Sequence, residues 1–344
     1  MLETFISQLN SAAALTVEQI SLAVEQLTAE TVPAAVKADF LVALAQKGET
    51  PAEIAAFAAA LRAKSIPLPL DAETRTREIL DVVGTGGDRL GTFNISTTVA
   101  ILCAAAGVTV AKHGNRAVTS PVGSADVIEA LGIKVGLSPA DAARHLREHQ
   151  FAFLFAPNFH PAFKHIAPAR KLCAERGQRT LFNILGPLLN PVHPSAALVG
   201  VPRVELCEPM AHALQSLGVR RGLVVCGEAG EHRLDEMSIL GCSHLAEFYQ
   251  ERGFSASVLT TENFPLQPAT LDDLKGGDKK ANAEIVRRIL LAEERGPKRD
   301  AVLLNASAAL FVAGKVRSLA EGWKVAGETI DSGATQRKLA ELTA

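Results

Sequence analysis

Apolar residues recur at helical spacing through the first sixty positions. Leu2, Phe5, Ile6 and Leu9 share one face, as do Ile20, Ala23, Val24 and Leu27, and Ile54, Phe57, Ala58 and Leu61. The pattern predicts four short amphipathic helices over residues 1–64, with no strand among them. Thr16 with Gln19 forms one capping box; Thr50-Pro51-Ala52-Glu53 forms another, with proline at the first helical position. Pro67 and Pro69 then break the period, and Ser65 to Glu78 reads as a crossing linker.

From Ile79 the chain alternates between short apolar runs and helical periods. Ile79–Val83, Val108–Lys112, Phe151–Phe155, Ala197–Val201 and Gly222–Cys226 read as buried strands, with more strand over Phe248–Leu266. Helices are expected from Asn94 as cap to Ala106, and over Gly123–Leu131, Ser138–His149 and Val204–Leu217. Ala281–Ala292, Arg299–Val312 and Ser318–Leu342 complete the set. Alternation of this kind implies a mainly parallel sheet with helices on both faces. The expected fold is therefore α/β with an all-α part: a small N-terminal helical domain, residues 1–70, which a later helical segment can join, and a larger α/β domain, residues 71–344.

Composition narrows the function classes. The 344 residues are 48% hydrophobic with a formal net charge of −2, so there is no electrostatic footprint for nucleic acid or an anionic membrane. No apolar run approaches the length of a membrane span, and a cytoplasmic protein is expected. Five widely spaced cysteines without a C-x-x-C pair read as reduced packing residues.

Chemistry concentrates in a few stretches. Gly84-Thr85-Gly86-Gly87-Asp88 follows the first strand, and Asn94-Ile95-Ser96-Thr97 opens the next helix. Glycines let backbone approach an anion, and amides at a helix start point toward it. The spacing matches neither the dinucleotide fingerprint nor the P-loop. Lys112-His113-Gly114-Asn115-Arg116-Ala117-Val118-Thr119-Ser120 follows the next strand, which places it beside the first loop at the carboxyl edge of a parallel sheet. Asp235-Glu236, taken alone, reads as a solvated turn, although a magnesium-dependent phosphate enzyme needs a hard carboxylate pair of this kind. Phe155 to Pro161 and Asn183 to Pro191 are shaped loops rich in Pro, Gly and Asn. Between them Arg170 can pair with an acid or clamp a carboxylate.

Together, in this order, the G-T-G-G-D loop, the N-I-S-T turn, K-H-G-N-R, N-x-L-G-P-L-x-N-P and L-D-E-x-S resemble the anthranilate phosphoribosyltransferase family, over essentially the whole chain. The resemblance implies transfer of the phosphoribosyl group of 5-phosphoribosyl 1-diphosphate (PRPP) to the amine of anthranilate. It implies two magnesium ions per subunit and a homodimer formed through the helical domain, with neither nucleic acid nor membrane as partner. Matched residue by residue, it assigns PRPP to Gly84, Gly87, Asp88, Thr92, Asn94, Ile95, Ser96 and Thr97, to every residue from Lys112 through His113, Gly114, Asn115, Arg116, Ala117, Val118 and Thr119 to Ser120, and to Ser124. Anthranilate falls to Gly84, Asn115 and Arg170, and metal to Ser96, Asp235 and Glu236. No dedicated catalytic base is implied.

Pro121-Val122 stand where the family carries a basic and a small polar residue, and the segment from Lys171 to Gln178 is longer than its norm. Two rivals share the architecture. A pyrimidine nucleoside phosphorylase would carry K-H-S-T-G-G in place of Val82 to Gly87, and a nucleic-acid-binding relative would lack the glycine loop and show a basic surface.

Overall fold

The computed structural model describes residues 1–117, 122–250 and 253–344. Four helices open the chain: α1 (Leu2–Asn10), α2 (Val17–Thr28), α3 (Ala34–Lys47) and α4 (Pro51–Arg62). Both expected capping boxes form. The Gln19 amide donates to Thr16 Oγ1 at 3.2 Å and the Thr16 amide to Gln19 Oε1 at 2.9 Å. Glu53 closes the second box and also accepts from Lys47 Nζ at 2.6 Å and the Leu15 amide at 3.0 Å, so this buried cap joins three segments of the bundle. The expected linker is not wholly irregular. Asp71 accepts the Thr74 amide at 2.7 Å and starts a short helix, α5 (Ala72–Thr76).

The sheet contains β1 (Ile79–Gly84), β2 (Thr109–Gly114), β3 (Phe151–Phe155), β4 (Ala196–Gly200), β5 (Arg221–Ala229), β6 (His232–Leu234), β7 (Ser243–Tyr249) and β8 (Gly253–Leu259). Its order is β3-β2-β1-β4-β5-β7-β8, with β6 paired to β5. The first five strands of that order are parallel, and β6, β7 and β8 add antiparallel pairs. Residues 248–266 are thus not one strand: β7 starts earlier, and the chain turns back into β8.

Helices α6 (Ile95–Ala105), α7 (Ser124–Ala130), α8 (Pro139–His149), α9 (Ala156–Phe159), α10 (Ala167–Glu175) and α11 (Cys207–Ser216) connect the strands. Next come α12 (Lys279–Leu290), α13 (Pro297–Val312), α14 (Leu319–Asp331) and α15 (Ala334–Thr343). The expected single helix over 318–342 breaks between α14 and α15, where Gly333 takes φ 74°. Among the described residues no helix is long and apolar enough to cross a membrane.

Strand alternation divides the core between the two faces of the sheet. Leu198, Leu223 and Val225 pack with α6, α12 and α13. Ala197, Val199, Val224 and Cys226 pack with α10, α11 and the interior of the N-terminal bundle. Lys37 of α3 is buried and donates to the carbonyls of Ala29 at 2.6 Å and His165 at 2.8 Å, fastening the bundle to the segment that leads into α10. Cys103, Cys173, Cys207 and Cys226 are free thiols inside these cores, and Cys242 is half-buried.

Candidate active site

β1 and β2 run side by side and in parallel, so their carboxyl ends deliver the glycine loop and the Lys112 loop to one edge of the sheet. A cavity of about 780 Å³ opens there. The segment after β6 folds back across the ends of β1 and β4. A Cβ on Gly200 would lie 1.6 Å from the Asp235 carbonyl oxygen, and one on Gly84 would lie 2.9 Å from its Oδ2, so both close approaches need glycine. Asn305, fully buried on α13, accepts the Met237 amide at 2.8 Å and donates to the Met237 carbonyl at 3.0 Å. That pair of bonds fixes Asp235 and Glu236 over the loop.

The glycine loop presents its amides to Asp235. Asp235 Oδ2 accepts from the Gly86 N–H at 2.6 Å and the Gly87 N–H at 3.3 Å. Glu236 Oε1 accepts the Ser96 amide, in the first turn of α6, at 3.2 Å. Lys112 is buried beneath them, its Nζ donating to the Val82 carbonyl at 2.6 Å and to Ser96 Oγ at 3.3 Å. Burial, with the charges of Asp88 and Glu236, holds the Asp235 carboxyl well above the usual carboxylate range. Burial likewise raises Glu236 to about 8, against the pull of Lys112.

Three carboxyls thus share one wall with one nearby ammonium. Asp88 Oδ2 and the Asn94 side-chain oxygen are buried without a hydrogen-bond partner. Unsatisfied hard oxygens beside mutually repelling acids are the donor set that a divalent cation such as magnesium takes up. Among the described residues no group of three or more His, Cys, Asp or Glu could hold a metal by itself. The remaining positions would fall to substrate oxygens and water, as magnesium prefers.

Another part of the cavity wall is aromatic. His113 meets His160 edge-on at 5.2 Å, His160 meets Phe163 at 5.4 Å, and Phe163 meets Phe182 at 5.8 Å between ring centroids. Burial depresses His113 to about 3 and His160 to about 4, so both rings are neutral at pH 7. The Arg170 guanidinium lies 5.6 Å over the Phe182 ring, and among the described residues it makes no ion pair. A desolvated, unpaired guanidinium on an aromatic face is a receptor for a carboxylate carried on a ring.

Below the cavity, Asn190 Nδ2 donates to Asp81 Oδ2 and to the Ala111 carbonyl, both at 2.8 Å. This buried amide braces β1 against β2 where both loops leave the sheet. Burial lifts Asp81 to about 6. Arg62 of α4 donates to the Leu188 carbonyl, so the bundle also supports the loop carrying Pro187 and Leu189.

The structure brings most of the expected residues to this one cavity. Gly84, Asp88, Thr92, Asn94, Ile95 and Ser96 line it, with Lys112 to Ala117, Ser124, Arg170, Asp235 and Glu236. Thr97 does not: it is fully buried on the inner face of α6, and its hydroxyl has no partner. Gly87 also stands off the wall, its amide turned to Asp235. Asn94 sits at the N-cap position of α6, but its side chain makes no cap hydrogen bond. Val118, Thr119, Ser120 and Pro121 lie outside the described residues. Sequence reasoning missed Phe163, Phe182, Lys164 and Asn282 on the wall, and Arg179, whose guanidinium donates to the Gly87 carbonyl at 3.3 Å.

Residues 3–65 match the helical bundle domain of a glycosyl transferase family, and residues 76–336 match its a/b domain. The anthranilate phosphoribosyltransferase of Petrotoga mobilis is 44% identical over 328 residues, covering 95% of this chain and 92% of its own. The crystal structure of the Thermus thermophilus enzyme of that name superposes with a TM-score of 0.88 at 43% identity, covering 98% of each chain. The Saccharomyces cerevisiae enzyme in complex with PRPP and Mg superposes with a TM-score of 0.86 at 27% identity, covering 99% of this chain and 96% of its own. The same yeast enzyme has also been solved in complex with 4-fluoroanthranilate.

Proposed function

The chain belongs to the anthranilate phosphoribosyltransferase family, and we propose that it transfers the 5-phosphoribosyl group of PRPP to the amine of anthranilate, releasing pyrophosphate, in tryptophan biosynthesis. One observation carries this reading. A single cavity is lined both by a guanidinium over an aromatic ring, without an ion pair among the described residues, and by a glycine–carboxylate wall. Only a donor rich in phosphate and an acceptor that is both aromatic and acidic would use both.

The amine attacks the anomeric carbon as the bond to pyrophosphate breaks, with inversion, through an oxocarbenium-like transition state. Such a reaction requires positioning and charge stabilisation above all. Arg170 fixes the acceptor's carboxylate, and the wall from His160 to Phe182 holds its ring. In this reading Asn115 contacts both substrates, and the Gly84–Asp88 loop with Asn94 and Ser96 faces the pyrophosphate. Asn115 lines the same cavity as that loop, which supports it. Ser96, Asp235 and Glu236 would hold magnesium, two ions per subunit, which when bound supplies the counter-charge for departing pyrophosphate. An aromatic amine attacks in its neutral form, so no general base is assigned.

The break between residues 65 and 76 in the family match supports a helical domain of residues 1–70 joined to the α/β domain. Val17 and Leu22 of α2, both exposed, support a homodimer formed through the helical part. We place the enzyme in the cytoplasm. The decisive test is anthranilate fluorescence followed in the presence of PRPP and magnesium. Loss of fluorescence with release of pyrophosphate is expected; no consumption by folded protein overturns the proposal.

A further inference from the structure

The expected phosphate loop after β2 is held in an unforeseen way. Its one guanidinium, Arg116, lines the cavity but is paired with acids of α7. Nη1 donates to Asp126 Oδ1 at 2.9 Å and to Glu129 Oε2 at 3.0 Å, and Nη2 donates to Glu129 Oε1 at 3.1 Å. The other oxygen of Asp126 accepts two amides, Ala117 N–H at 3.2 Å and Gly123 N–H at 3.0 Å. Those amides lie on the two strands of chain that pass each other at the stem of the loop. The stem is closed so tightly that a Cβ on Gly123 would lie 2.3 Å from the Ala117 nitrogen and 2.7 Å from the Asn115 carbonyl oxygen. That same carbonyl accepts the Ala125 amide at 3.2 Å and Ser124 Oγ at 3.4 Å.

An N3 acid capping its own helix would need only the Gly123 bond. The Ala117 amide and the Arg116 guanidinium go beyond that role, and both join the helix start to the far strand of the stem. Arg116, with both terminal nitrogens given to carboxylates, has fewer donors left for a phosphate.

We propose that Asp126 is a positioning residue for the donor substrate: one carboxylate pins both strands of the loop stem and, with Glu129, uses Arg116 as a latch, so that Asn115 and Ser124 stay set against the cavity. The role rests on the reading of this cavity as the PRPP site. It assigns Arg116 to the scaffold of that site and not to direct contact with phosphate.

The test combines a structural and a kinetic readout on Asp126→Ala, Asp126→Asn and Glu129→Gln in the full-length enzyme. In Asp126→Ala, amide hydrogen exchange at Ala117 and Gly123 should accelerate at least tenfold while exchange in β1 and α6 is unchanged. The Michaelis constant for PRPP should rise by on the order of tenfold to a hundredfold, the cost of a small misplacement at a reacting site. That for anthranilate should move much less. Asp126→Asn keeps one oxygen to accept the two amides but turns an NH2 toward Arg116, so it should fall between wild type and alanine. Glu129→Gln, at an exposed position, frees half the latch and gives a smaller rise even if Asp126→Ala does not fold. Unchanged exchange at the two amides overturns the pin. Faster exchange with an unchanged Michaelis constant for PRPP overturns the positioning role and leaves a helix cap. If wild type showed no turnover, the reading of the site would fail on its own, and exchange would still judge the pin.

Discussion

The Asp235 carboxylate sits in the glycine loop, with Oδ2 accepting the Gly86 N–H at 2.6 Å, across 149 residues of chain. Aligned loop amides of this kind are donors for phosphate oxygens. The chain therefore supplies a carboxyl oxygen where the substrate's phosphate oxygen would bind. In Asp235→Ala those amides are released. Calorimetry in EDTA should show pyrophosphate binding about tenfold tighter than in wild type, while turnover with magnesium falls by about a hundredfold. Equal metal-free affinities would show that phosphate uses other donors.

Arg170 lies on α10 over Phe182 without a carboxylate among the described residues to pair with. Arg170→Ala should raise the Michaelis constant for anthranilate by roughly a hundredfold, the order expected for losing a charge-assisted clamp, and leave that for PRPP within about twofold. Arg170→Lys should recover only part of this, since a point charge cannot reproduce the fork. Steady-state kinetics with each substrate varied separately decides it.

Glu236 faces Lys112, Asp88, Asp235 and the Ser96 amide, and burial raises its carboxyl from 4.5 to about 8. A raised acid binds its proton more tightly when folded. Its stabilising contribution is full below about pH 4.5 and is lost as pH rises toward 8. Urea midpoints of the metal-free protein should therefore fall between about pH 6 and about pH 8, and Glu236→Gln should flatten that slope. A wild-type midpoint that rises over this interval would contradict the assignment.

Asn190 joins Asp81 to the Ala111 carbonyl in the buried floor of the site. Asn190→Ala leaves a buried carboxyl and a buried carbonyl without their donor. The cost should be about 2–3 kcal/mol in equilibrium denaturation, with β1 and β2 loosening before the rest of the sheet in hydrogen exchange.

The strand–loop signals of β1 and β2 are legible in the sequence because period and glycine content both change at Gly84 and Gly114. Their adjacency follows from a parallel sheet. Thr97 escapes the cavity wall because a polar motif read as a string ignores helix phase: Thr97 turns into the core, whereas Asn94, Ile95 and Ser96 line the cavity. Contacts set by tertiary closure leave no local trace. Asp235 against Gly86, Arg179 against Gly87 and Asn305 around Met237 each join segments far apart in the chain. The start of β7 is obscured by His244 and Glu247, half-buried residues on opposite faces of the strand that interrupt its apolar run. The aromatic part of the wall escapes notice because Phe163 and Phe182 look like ordinary core residues until folding sets them beside Arg170.

The attachment of α10 has a mechanical consequence. Arg170 rides on a helix joined to α3 by Lys37 to the His165 carbonyl, by Arg176 to Asp39, and by the shared apolar interior. The glycine loop and Lys112, in contrast, are rooted in the sheet. In the proposed reading the acceptor's anchor is carried by a helix packed on the bundle, and the donor's cradle by the strand ends. The gap between amine and anomeric carbon then depends on how that helix seats against the sheet.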